Sequence, residues 1–320
     1  MLLPKGWTRL DKFIFPSSLR EVTFGDKFNS NVDSLPQGIT HIIFGTYFNQ
    51  RVDHLPSTLT SLIFHDGLFN QEIDHLPSGL KHLSLGLAFN RDLNHLPNLT
   101  QLSISQEFLK SMVNLPSTIN HLEIGSHMIE PTSILKEGIT HLTFRASFWQ
   151  NIGDLPSTLT HLIIGCSFNQ PLPNLSISTP ALTHLQLGSS FNHPINNLPP
   201  SLTHLELGRS FQQDLSASNL PSTLEYLKLR RGFDSTLDNL PFGLKCLIIE
   251  FMNGSLNNLP VTLTHLKIGL LNKPLDNLPP NLINLHLGNF ISKPLGNLPH
   301  TLFYLRLGSG FTQLLLNPPP

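Results

Sequence analysis

Apolar residues recur along this chain in one short phrase, [LI]-x-x-[LIV]-x-[LIF], whose intervening positions are mostly polar. The phrase begins at Leu19, Ile39, Leu59, Leu80, Leu99, Ile119, Ile139, Leu159, Leu182, Leu202, Leu224, Leu244, Leu263, Leu282 and Leu302. That gives 15 copies at intervals of 19 to 23 residues, most often 20. Side chains of a strand alternate between its two faces, so positions 1, 4 and 6 point inward and positions 2, 3 and 5 outward. A fixed period of this length predicts a solenoid, because one repeat cannot bury its apolar face except against its neighbours.

The expected fold is therefore β-rich, a leucine-rich-repeat-like array of about 15 repeats. Parallel strands form one, concave, face; extended or 3-10 segments form the convex face, with almost no α-helix. Glycines follow many strands, as at Gly25, Gly45, Gly188 and Gly208, and predict a backbone turn that other residues resist. Phe then returns to the core beside an Asn, as at Phe28-Asn29, Phe48-Asn49, Phe168-Asn169 and Phe191-Asn192. These pairs read as structural repeat residues, with Asn bonding loop backbone in successive repeats. Leu-Pro closes most units with a helix-excluding return.

Residues 1–18 read as an N-terminal cap that brings Trp7, Leu10, Phe13 and Phe15 over the first repeat. The solenoid spans 19–313, with Met128-Ile129 in place of Phe-Asn in one repeat. Ser-rich insertions at Leu175–Pro180 and Ser216–Asn219 read as small bulges of the convex loops. A tail, 314–320, lets Leu314 to Leu316 cover the final strand before three prolines.

Composition narrows the class further. With 26 Pro and 21 Gly in 320 residues, long helices are excluded. A net charge of −1 with 13% charged residues supplies no global field to recruit nucleic acid or a membrane surface. Cys166 and Cys246 lie four repeats apart, too far for a disulfide, and free thiols suit a reducing, cytoplasmic compartment. No apolar run approaches the length of a membrane span.

The internal consensus L-P-x-x-L-T-H-L-x-L-G-x-x-F-N-x-P-[IL] resembles the FNIP repeat, a leucine-rich-repeat variant of social amoebae and of giant viruses of amoebae. The match is closest at Phe168-Asn169-Gln170-Pro171-Leu172 and Phe191-Asn192-His193-Pro194-Ile195. The resemblance implies protein binding, in the host cytoplasm if the chain is viral. Many members of the family carry an F-box before the array, which implies a ubiquitin-ligase substrate adaptor. Only 18 residues precede the first strand phrase here, so such a recruiter would be supplied in trans.

Two outward features carry candidate chemistry. The first is a column at position 3: His41, His82, His121, His141, His161, His184, His204 and His265. Stacked imidazoles can serve as a metal ladder, as a pH-sensitive surface, or as a structural stack bonded to the preceding Thr column. A straight column offers only two ligands to one ion, so no metal and no cofactor is assigned. The second is a change of face from the eleventh repeat onward, where Tyr226, Cys246, Asn284 and Tyr304 take position 3. Lys228, Lys267, His286 and Arg306 take position 5, with Lys245 at position 2 and Arg230-Arg231 after a strand. Tyr and Arg dominate binding hot spots, and this patch suits an acidic protein surface. Asp33, Asp53 and Asp74, with His54, His75 and His95 beside them, read as a solvated column, and Asn197, Asn219, Asn239, Asn258, Asn277 and Asn297 as turn chemistry. No catalytic group is assigned.

The expectation is a non-enzymatic scaffold that binds a protein partner through the strand side. The partner-binding residues are His121, His141, His161, His184, His204, Tyr226, Lys228, Lys267, His286, Tyr304 and Arg306. An adaptor role with an F-box in trans, and self-assembly through end strands, are the alternatives.

Overall fold

A computed structural model describes residues 10, 15–104, 108–125, 132, 135–213, 215, 220–230, 237, 240–252, 256, 258–270, 275, 277–288 and 297–309. The expectations for Trp7, Phe13, Met128, Ile129, Ser216–Asn219, Arg231, Asn239 and Leu314–Leu316 lie outside these residues. Contacts group the chain into two compact units, Met1–Leu159 and Thr160–Pro320.

The first unit carries β1 (Glu21–Thr23), β2 (His41–Phe44), β3 (Ser61–Phe64), β4 (His82–Ser84), β5 (Gln101–Ser103), β6 (His121–Ile124) and β7 (His141–Phe144). The second carries β8 (His161–Ile164), α1 (Leu175–Ser178), β9 (His184–Leu187), β10 (His204–Leu207), β11 (Tyr226–Leu229), β12 (Cys246–Ile249), β13 (His265–Ile268), β14 (Asn284–Leu287) and β15 (Tyr304–Leu307). Within each unit, successive strands pair in parallel and in chain order, and each phrase lies beside the same phrase in the next repeat. Leu62 pairs with Leu83, and Leu205 with Leu227. This register follows from the sequence period, since a slip by one residue would turn every inward Leu to solvent.

Most strands show the alternation that the pattern dictates, with positions 4 and 6 buried and positions 3 and 5 half-buried. Under the strands the Phe column packs as a spine. In the first unit Phe28, Phe48, Phe69, Phe89 and Phe108 stack at centroid spacings of 6.0, 6.1, 6.1 and 6.3 Å. In the second, Phe168, Phe191 and Phe211 stack at 6.0 and 6.3 Å. The adjacent Asn forms a ladder: Asn29 Oδ1 accepts from the Asn49 amide at 2.9 Å, and Asn49 Oδ1 from the Asn70 amide at 2.9 Å. In the second unit, Asn169 and Asn192 do the same for the amides of Asn192 and Gln212. A carbonyl that stands one repeat away from a loop N–H satisfies a donor that the loop itself cannot.

Most of the Leu-Pro pairs start a turn in which the proline carbonyl accepts from the apolar residue three positions on, as with Pro56 and Leu59 at 3.0 Å. Asn197, at φ 61°, confirms the turn role of the Asn column at that position.

Two expectations change. Among the described residues the positive-φ glycines are Gly38 and Gly138, and neither belongs to the column after the strands. At Gly45, Gly86, Gly188, Gly208, Gly269 and Gly288 that column is glycine for want of space: a Cβ on Gly208 would lie 1.9 Å from the Gly188 carbonyl oxygen. The insertion at Leu175–Pro180 is one helical turn, α1, rather than a plain bulge. Leu175 is buried there, and the amide and hydroxyl of Thr179 both donate to its carbonyl. No helix among the described residues is long and apolar enough to cross a membrane.

Candidate functional site: the strand-side face

Position 3 of every strand is raised on the same backbone step, so imidazoles in successive repeats meet face to face. In the first unit His121 and His141 stack at 4.0 Å. In the second, His161, His184 and His204 stack at 4.1 Å each, and the Tyr226 ring continues the strip at 5.4 Å. The preceding Thr fixes the His141, His161, His184 and His204 rings, while His121 Nδ1 meets Asn120 Oδ1 at 2.6 Å. Thr183 Oγ1 donates its one proton to the Thr160 carbonyl at 3.1 Å, so the His184 Nδ1 contact at 2.9 Å has Nδ1–H as donor. Thr203 with His204, and Thr264 with His265, repeat the arrangement, as do Thr140 with His141 and Thr40 with His41 in the first unit. The network thereby assigns the neutral tautomer and leaves the acceptor lone pair on Nε2. Flat stacking holds those lone pairs parallel, whereas a chelate needs them convergent. Among the described residues no three His, Cys, Asp or Glu side chains group as metal ligands.

His82 stands apart from these stacks. Its ring meets Ser61 Oγ at 3.3 Å, and partial burial, helped by the charge of His41, lowers its pKa below the ordinary imidazole value.

The basic C-terminal patch is less basic than its sequence. Lys228 Nζ lies 3.0 Å from Glu206 Oε2, and Arg230 lies 3.7 Å from the same carboxylate. Lys245 pairs with Glu225 at 2.6 Å. Sequence reasoning missed both glutamates, although each stands one repeat before its lysine in the same column. Burial, with Glu206 and Cys246 beside it, raises the Tyr226 phenol pKa, and Arg230 partly opposes this. Cys166 and Cys246 are free thiols, and burial raises the pKa of Cys246. Past them, Lys267, His286 and Arg306 lie in direct register on β13, β14 and β15. Tyr304 is 47% exposed beside them.

The first unit holds a second polar cluster that sequence reasoning missed. Arg145 donates from Nε to Glu123 at 2.9 Å and from Nη2 to Ser103 at 2.8 Å, and its Nη1 lies 3.5 Å from Asp66. Nearby is an open depression of about 370 Å³ lined by Asp26, Thr46, His65, Asp66 and Ser84 among others. The signal was available: His65 and Arg145 interrupt the glycine column after the strands. The Asp33, Asp53 and Asp74 column is bound locally instead, to Asn31, Arg51 and His95.

The FNIP repeat family matches residues 28–67 and 195–231. Among solved structures, the giant-virus protein CroV588, described as a novel circular leucine-rich-repeat protein, is 33% identical with a TM-score of 0.76. The alignment covers 94% of this chain and 51% of that one, so the chain spans about half the length of CroV588. YopM of Yersinia pestis, a leucine-rich effector, is 19% identical with a TM-score of 0.51, covering 84% of this chain and 83% of its own. It shares the fold. No curated protein matches the sequence.

Proposed function

From a chain that is a leucine-rich-repeat array carrying FNIP repeats, we infer a non-enzymatic scaffold that engages a protein partner through its strand-side face. The observation that carries this reading is the strip of His161, His184, His204 and Tyr226. Its rings are stacked at 4.1 to 5.4 Å, and Thr hydroxyls hold the His rings. Such rings are ordered before a partner arrives, so little side-chain entropy is lost on contact. The ion pairs of Lys228 and Lys245 border the strip as a polar rim, the setting in which central aromatic residues contribute most to binding.

The test is affinity capture from cell extract with the wild-type chain and with a His184→Ala, His204→Ala, Tyr226→Ala variant. A discrete partner recovered at least about tenfold less by the variant, at a retained melting temperature, supports the reading. Equal recovery by both proteins removes it.

Self-assembly has an observation of its own. On β15 the inward residues Leu305 and Leu307 are only half-buried, unlike their equivalents on the other strands. Half-buried leucines of this kind gain burial against a second copy of the chain. Light scattering decides: twice the monomer mass of 35.7 kDa favours assembly, and a monomer at high concentration excludes it.

A further inference from the structure

Around β11 and β12 the outward cations on the strand side are neutralised by neighbouring carboxylates, which sets off a departure further along. Lys228, Arg230 and Lys245 face Glu206 and Glu225. From β13 onward, among the described residues, the pairing stops. Lys267, His286 and Arg306 follow one another in register across β13, β14 and β15. Among the described residues neither Lys267 nor Arg306 has a carboxylate within ion-pairing distance. At about 4.8 Å per strand step, the two permanent cations stand roughly 10 Å apart with the imidazole between them. That distance is close to one Debye length at physiological salt, so the charges still feel each other.

We propose that Lys267, His286 and Arg306 form a binding site for the carboxylates of an acidic, partly apolar peptide segment of the partner. This rests on the scaffold reading and gives it a ligand chemistry. The apolar half of the match lies beside the cations. Ile283, Phe303 and Tyr304 are 43%, 91% and 47% exposed, and the Phe303 amide donates to the Ile283 carbonyl on the neighbouring turn. A carboxylate fits better than a nucleic-acid backbone. Two permanent cations neutralise too few phosphates to hold a strand, and the chain as a whole carries a net charge of −1.

Binding at this site takes up a proton. His286 lies in register between Lys267 on β13 and Arg306 on β15, with His265 and Tyr304 two positions earlier on those strands. Burial first, then the charges of Lys267 and Arg306, hold its pKa below the ordinary imidazole value. A carboxylate seated between the cations reverses that bias and favours the imidazolium. The segment is therefore held more tightly as pH falls toward the range in which His286 titrates.

The test uses a fluorescein-labelled decapeptide alternating Glu and Leu, a Gln/Leu control, and a single-stranded oligothymidylate of equal length. Fluorescence anisotropy is read with the full chain between about pH 7.5 and pH 5.2, above the ordinary glutamate pKa. The expected result is binding of the Glu/Leu peptide alone, tightening about tenfold for each unit by which it raises the His286 pKa. His286→Gln flattens the pH profile and removes the tightening at the lower pH. Lys267→Gln and Arg306→Gln each weaken binding about threefold at every pH. Equal binding of the Gln/Leu control, or a flat wild-type profile, overturns the proposal. Preferential binding of the oligothymidylate overturns it in favour of nucleic acid. Absence of peptide binding, alongside partner capture that depends on His184, His204 and Tyr226, removes this site and leaves the scaffold reading standing.

Discussion

Glycine is conserved in kind from repeat to repeat after the strands because the preceding repeat occupies the place of its side chain. At Gly188 an added Cβ would lie 2.1 Å from the Gly165 carbonyl oxygen, and at Gly208 1.9 Å from that of Gly188. Gly25, in the first repeat, has nothing within 4 Å of the same point. Flexible side chains could move aside, but these obstacles are backbone. Gly208→Ala should therefore cost about 1–3 kcal/mol as an overpacked contact, while Gly25→Ala should leave the melting temperature unchanged or slightly raised. Urea unfolding of the two variants makes the comparison. The glycine column was plain in the sequence, but its cause was not, since spacing alone cannot tell a backbone that must bend from one that must be approached closely.

At the scale of the element, each repeat is held to the next by a Phe spine, an Asn ladder and a strand pair. The Asn ladder is the most exposed to single substitutions, because one side chain serves two partners. Asn49 Oδ1 accepts from the Asn70 amide at 2.9 Å and from Gln71 Nε2 at 3.0 Å. Asn49→Ala should cost about 1–3 kcal/mol, the penalty for a partly buried donor left unpaired, and Asn49→Asp should recover much of it because a carboxylate accepts from the same donors. Denaturant titration measures both. Strand positions, register and the Phe and Asn columns were all legible, because a period of about 20 repeats the same physical problem fifteen times. The helical turn α1 was not. The sequence Leu175-Ser176-Ile177-Ser178 has no helical period long enough to read, and its shape depends on burying Leu175.

For the whole molecule, the polar face was legible as columns but not as pairs. Reading position 3 found the stacked histidines, whereas reading lysines without the glutamates one repeat earlier overstated the basic patch. His82 and His286 also set how stability depends on pH. Both have folded-state pKa values lowered from the ordinary imidazole value of 6.5, chiefly by burial. Above that value both states are neutral and neither residue contributes. As pH falls through it the unfolded chain takes up protons that the folded chain refuses, so stability is lost until the lower folded-state pKa is passed. The melting temperature should therefore fall between about pH 7 and pH 5, and a His82→Gln, His286→Gln variant should fall less.

Site-specific photo-crosslinking distinguishes a partner that docks on the strand-side face from one that docks elsewhere. A photoreactive residue is placed at Gln186 on β9, or at Ile177 on α1, which is 76% exposed. After irradiation in cell extract, a discrete adduct from position 186 and none from position 177 is the predicted result. An adduct from position 177 alone, equal adducts from both, or none from position 186 would contradict it.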